Sequence, residues 1–220
     1  MAKNDPVIRE LSLFDDEIRG SGVAVFAGVD EAGRGPLAGS VYAAAVILPQ
    51  GAEIPYLNDS KKLTEKRREQ LFDVICETAF AYGIGEATVE EIESINILNA
   101  AMLAMNRAVA SLHTKNGELI VPELLLIDGD KARGFSLPTQ CVIGGDAKSL
   151  SIAAASVLAK VSRDRSMLAL AEAYPQYGFE KHKGYGTKAH YEALDAYGIT
   201  PAHRPSFLKK YFAAKVGERP

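Results

Sequence analysis

Apolar positions recur with two different periods along the chain, and the switches between them mark out the elements. Residues 1–20 place Ile8, Leu11, Leu13 and Phe14 near one side and Arg9, Glu10, Asp15, Asp16 and Glu17 elsewhere, which predicts an amphipathic N-terminal helix. Val23–Val29 alternates as a strand, and Val41–Leu48 is a second β-capable run stopped by Pro49-Gln50-Gly51. The connection between them is short, so the two should pair antiparallel. Thr64 is a candidate N-cap for a helix running to about Phe80, with Leu71, Val74, Ile75 and Thr78 on its apolar face. Tyr82–Thr88 predicts a third strand and Ile97–Leu112 a helix rich in Ala, Leu and Met. Leu124-Leu125-Leu126-Ile127 is apolar throughout, as expected of a strand buried on both faces, and Thr139–Ile143 is a fifth strand. Ser149–Tyr174 reads as a long Ala-rich helix ended by Pro175, followed by Gly-, Lys- and His-rich loops with short helices from about Thr187 and Pro205.

This order predicts an α/β layered protein with a mixed five-stranded sheet flanked by helices and a helical C-terminal part. The expected divisions are an N-terminal helical extension over 1–20, a core over 21–175 and a C-terminal helical subdomain over 176–220. Composition changes that picture little: 47% hydrophobic and 24% charged residues are ordinary for a globular chain. The first residues carry no apolar signal core, and no apolar stretch reaches the length of a membrane span, so a cytoplasmic protein is expected. Cys76 and Cys141 stand in no metal or disulfide spacing and are expected to be small buried hydrophobes. The net charge of −3 argues against coating nucleic acid by bulk attraction, yet it is unevenly spread. Residues 147–220 hold 12 Lys/Arg against 6 Asp/Glu (+6), and the rest holds 13 against 22 (−9). One part of the chain could therefore hold metal while another holds phosphate backbone.

The chemistry concentrates at strand ends. Gly28-Val29-Asp30-Glu31-Ala32-Gly33-Arg34-Gly35 sets two carboxylates beside a glycine loop with one arginine, and carboxylate oxygens suit Mg²⁺ or Mn²⁺. Asp128 and Asp130 follow the fourth strand, and Asp146 follows the fifth. A lone strand-end Asp is ordinarily a turn or cap, but three strands ending this way beside glycines point to a metal site. Asp130, the second acid of an Asp-Gly-Asp turn, is expected to face solvent. Consecutive side chains on a strand point to opposite faces, so Asp30 and Glu31 can share one cluster only if the strand ends or bulges there. Gly33-Arg34-Gly35-Pro36-Leu37-Ala38 formally fits the dinucleotide fingerprint, but a strand rather than a helix is predicted to follow it. There is no G-K-[ST], which excludes a P-loop.

The run GVDEAGRGPLAGSV, followed in order by NDSKKL, LLLIDG, GGDAKSLSIAAASVLAKVSRD and HKGYGTKAH, resembles bacterial ribonuclease HII, the type 2 ribonuclease H, from residue 28 to 190. The resemblance implies an RNase H-like fold. It implies an endonuclease that cuts the RNA strand of RNA/DNA hybrids and incises DNA 5′ to embedded ribonucleotides, using Mg²⁺ or Mn²⁺. By the same resemblance Asp30, Glu31, Asp128 and Asp146 are the active-site acids, Gly33, Arg34 and Gly35 read the ribose 2′-OH and adjacent phosphate, and Tyr185 stacks at the RNA-DNA junction. Asp164 belongs to the same motifs but sits mid-helix beside Arg163 and Arg165, and is read as an ion-pair partner. About twenty residues precede the first strand, which favours type HII over the sister type HIII with its additional N-terminal domain. Two metal ions would serve hydrolysis to a 3′-hydroxyl and a 5′-phosphate. Lys61, Lys148, Lys181, Lys183 and Lys188 are expected phosphate contacts, and His182, His190 and His203 are assigned no catalytic role. A monomer with no obligate protein partner and no membrane contact is expected. The competing reading is a non-catalytic hybrid-binding protein on the same fold.

Overall fold

The structure, a computed structural model, describes residues 6–217, with side chains to residue 215. Helix α1 (Pro6–Gly20) leads into β1 (Phe26–Ala32) and β2 (Val41–Ile47), then α2 (Glu65–Thr78), β3 (Ala81–Ala87), α3 (Val89–Ile95), α4 (Ile97–Ala110) and β4 (His113–Thr114). Strands β5 (Leu124–Asp128) and β6 (Thr139–Val142) precede the 24-residue α5 (Leu150–Ala173), and α6 (Phe179–His182), α7 (Lys188–Tyr197) and α8 (Pro205–Gly217) complete the chain. Residues 1–5 of the expected N-terminal helix lie outside the described residues. Among the described residues no helix is long and apolar enough to cross a membrane.

The sheet is mixed, in the order β4-β3-β2-β1-β5-β6. β1 pairs antiparallel with β2 and parallel with β5, and β5 pairs parallel with β6. The five expected strands are present, and the two-residue β4 adds a sixth at the edge. Helix α3 was not foreseen, although Thr88 and Glu91 form a reciprocal capping box at its start. Thr64 does cap α2, accepting from Arg67 N–H.

Two helices cover the sheet and set its thickness. Helix α5 is buried almost all round in its first half, and its run of alanines brings backbone close to backbone. A Cβ on Gly28 of β1 would lie 2.2 Å from the Ser151 carbonyl carbon, so only glycine permits this approach. On the other face, Cβ atoms on Gly83 and Gly85 would lie 2.2 Å from carbonyl oxygens of α4. Ile8 and Leu11 of α1 join α2 and α5 in the core on the α5 side, each such burial stabilising by roughly 1.5–3 kcal/mol. Asp15 of α1 accepts from Ser149 Oγ, Ser151 N and Ser151 Oγ at the start of α5, so the N-terminal helix is bonded into the core. Cys76 is half-buried, and Cys141 is exposed rather than buried. The reason is its place on β6, the edge strand, where Thr139, Gln140 and Cys141 all face solvent and only Val142 is covered.

Candidate active site

The register of two parallel strands builds the acid cluster. Gly28 of β1 lies opposite Leu126 of β5, and two residues further along the same face stand Asp30 and Asp128. Pairing between these strands stops at Val29 and Ile127, so both carboxylates emerge where the sheet opens at its carboxyl end. Asp146 arrives from the single 3₁₀ turn Gly145–Ala147 after β6. Carboxylate oxygens of Asp30, Asp128 and Asp146 all lie within 4.8 Å of one another. Each is oriented by a neighbour. Asp30 Oδ1 accepts from Glu31 N–H at 2.7 Å, Asp128 Oδ1 from Gly145 N–H at 2.6 Å, and Asp146 Oδ2 from Lys61 Nζ at 3.1 Å.

Glu31 does not share that cluster. β1 neither ends nor bulges after Asp30 but stays in register with β2 through Ala32, so Glu31 points to the opposite face. Its Oε1 accepts from Arg34 Nη1 at 3.1 Å. It still borders the same cleft, an opening of about 490 Å³ lined also by Asp30, Asp128, Lys61, the glycine loop and Tyr185. Asp130 is exposed and outside the cluster, as expected.

Crowding of like charges marks the site electrostatically. Burial, and then the charges of Glu31 and Asp128, push the Asp30 carboxyl well above the usual range. Burial also raises Glu31 and Asp128. Burial pulls the Lys61 ammonium down, but the bond to Asp146 and its charge outweigh that and hold it above its ordinary value. Three converging carboxylates with an all-oxygen donor set, one ammonium on Asp146, and the Asp30 carboxyl raised by burial and neighbouring charge fit a hard divalent cation.

The expected ribose-reading residues border the same cleft. Gly33 has φ +105°, a conformation L side chains rarely adopt, and a Cβ there would also meet Arg163 Nε at 2.2 Å. A Cβ on Gly35 would lie 3.8 Å from the Tyr185 ring, so loop and tyrosine are neighbours although 150 residues apart. β2 follows the loop, and with no helix N-terminus there the dinucleotide reading fails. The lysines divide. Lys148 and Lys181 are exposed, Lys188 is exposed 3.7 Å from Glu192, and Lys61 is drawn to Asp146. Lys183 is buried instead of facing a phosphate, its Nζ donating to Glu180 O at 2.6 Å and pairing with Glu65 at 3.2 Å. Asp164 is a buried ion-pair partner, but of Lys160 at 2.6 Å and Arg68 at 3.6 Å rather than of the adjacent arginines.

Ser156, Lys160, Arg163 and Arg204 escaped the sequence reading. Ser156 bonds Asp30 and Ser60, and Lys160 lines the cleft one turn later on α5. Their i, i+4 spacing was the available signal. No local pattern points to Arg204, whose partners lie up to 171 residues away.

Solved structures share this architecture. The ribonuclease H2 of Pyrococcus horikoshii superposes with a TM-score of 0.66 at 26% identity, over 84% of this chain and 96% of that one. Bst-RNase HIII, solved in complex with Mn²⁺, has the same fold, with a TM-score of 0.66 at 18% identity over 90% of this chain and 71% of that one. Fold and acid cluster together define an endoribonuclease of the ribonuclease H class. The family model for ribonuclease HII matches residues 27–215, and the ribonuclease HII of Endomicrobium trichonymphae is 56% identical over 88% of this chain and 90% of its own length. The chain belongs to the ribonuclease HII family. That makes it an enzyme and removes the non-catalytic reading.

Proposed function

We propose that this enzyme cleaves the RNA strand of RNA/DNA hybrids and incises DNA on the 5′ side of an embedded ribonucleotide, leaving a 3′-hydroxyl and a 5′-phosphate. The observation that carries this reading is one cleft lined by Asp30 and Asp128 of the three-acid cluster, by the Gly33-Arg34-Gly35 loop and by Tyr185. Asp30, Asp128 and Asp146 would hold Mg²⁺ or Mn²⁺, with Glu31 completing the set from the other face of β1. The chemistry such ions supply when bound is neutralisation of the phosphate and leaving oxygen, and a stronger water nucleophile at neutral pH. The protein's own task is placement. Glu31 N–H, Ser156 and Gly145 N–H fix the aspartates, and no histidine lines the cleft as a general base.

Backbone groups of the glycine loop suit the 2′-OH because they are rigid and unobstructed, which is how RNA is told from DNA. Tyr185, 45% exposed beside Gly35, offers its ring to the next sugar. Arg34, Lys148 and Lys61, once Lys61 is released from Asp146, serve the phosphates. The same reading places the enzyme in the cytoplasm, acting as a monomer. The test is incubation with a duplex containing one ribonucleotide, with and without EDTA. A cut 5′ to the ribonucleotide that EDTA abolishes is expected; an EDTA-resistant cut, or one elsewhere, overturns the reading.

A further inference from the structure

The segment Ala202-His203-Arg204 lies against the glycine loop like an extra strand. Gly39 N–H donates to Ala202 O and Arg204 N–H to Leu37 O, each at 2.8 Å, and Ala38 and His203 form an antiparallel bridge. From this segment the Arg204 side chain, fully buried, reaches under the loop. Its five hydrogen bonds all go to backbone carbonyls: Gly33 at 2.8 Å, Arg34 at 3.1 Å, Pro36 at 2.9 Å, and Gly39 twice at 2.9 and 2.6 Å. Burial, and then the charge of Arg163, lower its pKa to about 9. Burying a guanidinium is expensive, and the carbonyls it bonds would be left without donors if an apolar side chain replaced it. What only the planar five-donor fork provides is one fixed spacing for four carbonyls of a single loop.

The neighbouring residue reaches the other reading element. Thr200 N–H donates to His203 Nδ1 at 3.0 Å, which puts the His203 proton on Nε2. Nε2 lies 3.1 Å from His190 Nε2, so His190 accepts there and carries its own proton on Nδ1. That proton is donated to the Tyr185 carbonyl at 2.9 Å. Both rings are fully buried and neutral, giving one consistent chain from Thr200 to Tyr185. Two further contacts join loop to loop. Leu37 N–H donates to Gly184 O at 2.8 Å, and Arg163 Nη2 donates to both Ala38 O and Lys183 O, at 3.2 and 3.0 Å.

We propose that Arg204 and the His203–His190 pair are positioning residues that hold the glycine loop and Tyr185 at one fixed separation, and so set the selectivity for a ribonucleotide followed by DNA. This rests on the cleft reading above, since it presumes that the loop reads ribose and Tyr185 the following sugar. Neither residue touches substrate; each acts through the backbone it holds. A misplacement of about 1 Å in such an element can cost on the order of a hundredfold in rate.

The experiment compares His190→Gln, His190→Asn, Arg204→Lys and Tyr185→Ala, with the His190→Gln/Tyr185→Ala double variant. Each is assayed on a duplex with one ribonucleotide and on a continuous hybrid, with melting temperature measured alongside. Asn keeps a donor near the Nδ1 position; Gln places its amide near Nε2 and leaves the Tyr185 carbonyl unbonded. His190→Gln should lose about tenfold or more in kcat/KM on the single ribonucleotide and less than about threefold on the hybrid, while His190→Asn recovers most of the loss. In the Tyr185→Ala background His190→Gln should cost nothing further. Arg204→Lys should lower kcat on both substrates by about tenfold with KM nearly unchanged, because the loop still binds but no longer aligns the ribose. An unchanged substrate ratio in His190→Gln, an Asn variant as damaged as Gln, additive losses in the double variant, or an unaffected kcat in Arg204→Lys overturns the proposal. If the wild-type enzyme makes no cut at a single ribonucleotide, the cleft reading itself has failed, a result visible before any variant is compared.

Discussion

The two sides of the cleft are backed by opposite electrostatic constructions. On one side Asp30, Asp128 and Asp146 crowd like charges together, with burial and mutual repulsion raising Asp30 and burial raising Asp128. On the other, Arg163 and Arg204 are buried cations whose pKa values burial pulls down, and backbone carbonyls surround them. The acid wall keeps a negative potential that a cation from outside can satisfy. Every guanidinium nitrogen of Arg204 bonds a loop carbonyl, while Arg163 bonds carbonyls through Nη2 alone and leaves Nε and Nη1 without a hydrogen-bond partner, so on this side the bonded charge goes to backbone of the two loops. On the proposed reading one buried charge cluster serves ligand binding and the other serves geometry.

The sharpest way to break this comparison is to neutralise one charge on each side. Asp30→Asn should abolish detectable cleavage, a loss of at least about a hundredfold, while raising the melting temperature in EDTA by roughly a few degrees. The sign follows from the raised carboxyl: folded Asp30 holds its proton more tightly than the unfolded chain does, so its ionisation near neutral pH costs stability that Asn avoids. A lower melting temperature would show that the acid wall is not strained. Arg204→Met should do the reverse, leaving four carbonyls without a donor and costing about 3–5 kcal/mol, read as a fall of roughly 10 °C. Unchanged stability would remove Arg204 from the geometric role.

Between these extremes lies Tyr185→Ala. It should reduce incision at a single ribonucleotide by about tenfold or more and spare the continuous hybrid; equal losses would count against a junction role. A separate effect is on pH. Burial, and then His190, hold the His203 pKa at about 4, below its ordinary value of 6.5. The unfolded chain therefore binds the extra proton first, and stability present above about pH 6.5 is lost as pH falls toward 4, on the order of 3 kcal/mol. Urea unfolding at pH 7 and pH 5 should show a slope that His203→Gln flattens; an identical slope in the variant would place the acid sensitivity elsewhere.

Much of the acid wall was legible locally because its parts are strand-end residues. The apolar run ending in Asp128 announces a buried strand, and the glycine turn after the exposed edge strand β6 delivers Asp146 to the same end of the sheet. The first strand was displaced. Read as Val23–Val29, it runs from Phe26 to Ala32, because pairing with Ala43, Ala44 and Tyr42 carries the ladder past the two charges where apolar alternation stops. Helix α3 was missed although Thr88 and Glu91 spell its cap, since seven residues are too few for a clear helical period. Lys183 was read as a phosphate contact because sequence does not tell that Glu180 O and Glu65 surround it.

What the sequence by itself determined was the longer elements, the family and the candidate acids, all of which rest on short-range patterns: side-chain period, glycine placement and motif order. Tertiary structure alone decided which acids meet, and it placed Asp30 with Asp128 and Asp146 while turning Glu31 to the other face. It alone placed Arg204 beneath a loop up to 171 residues away and ran His203 through His190 to Tyr185. The physical reason is that register and burial are properties of chain segments brought together. A guanidinium has the same donors at every position in the sequence, and only the fold supplies the carbonyls.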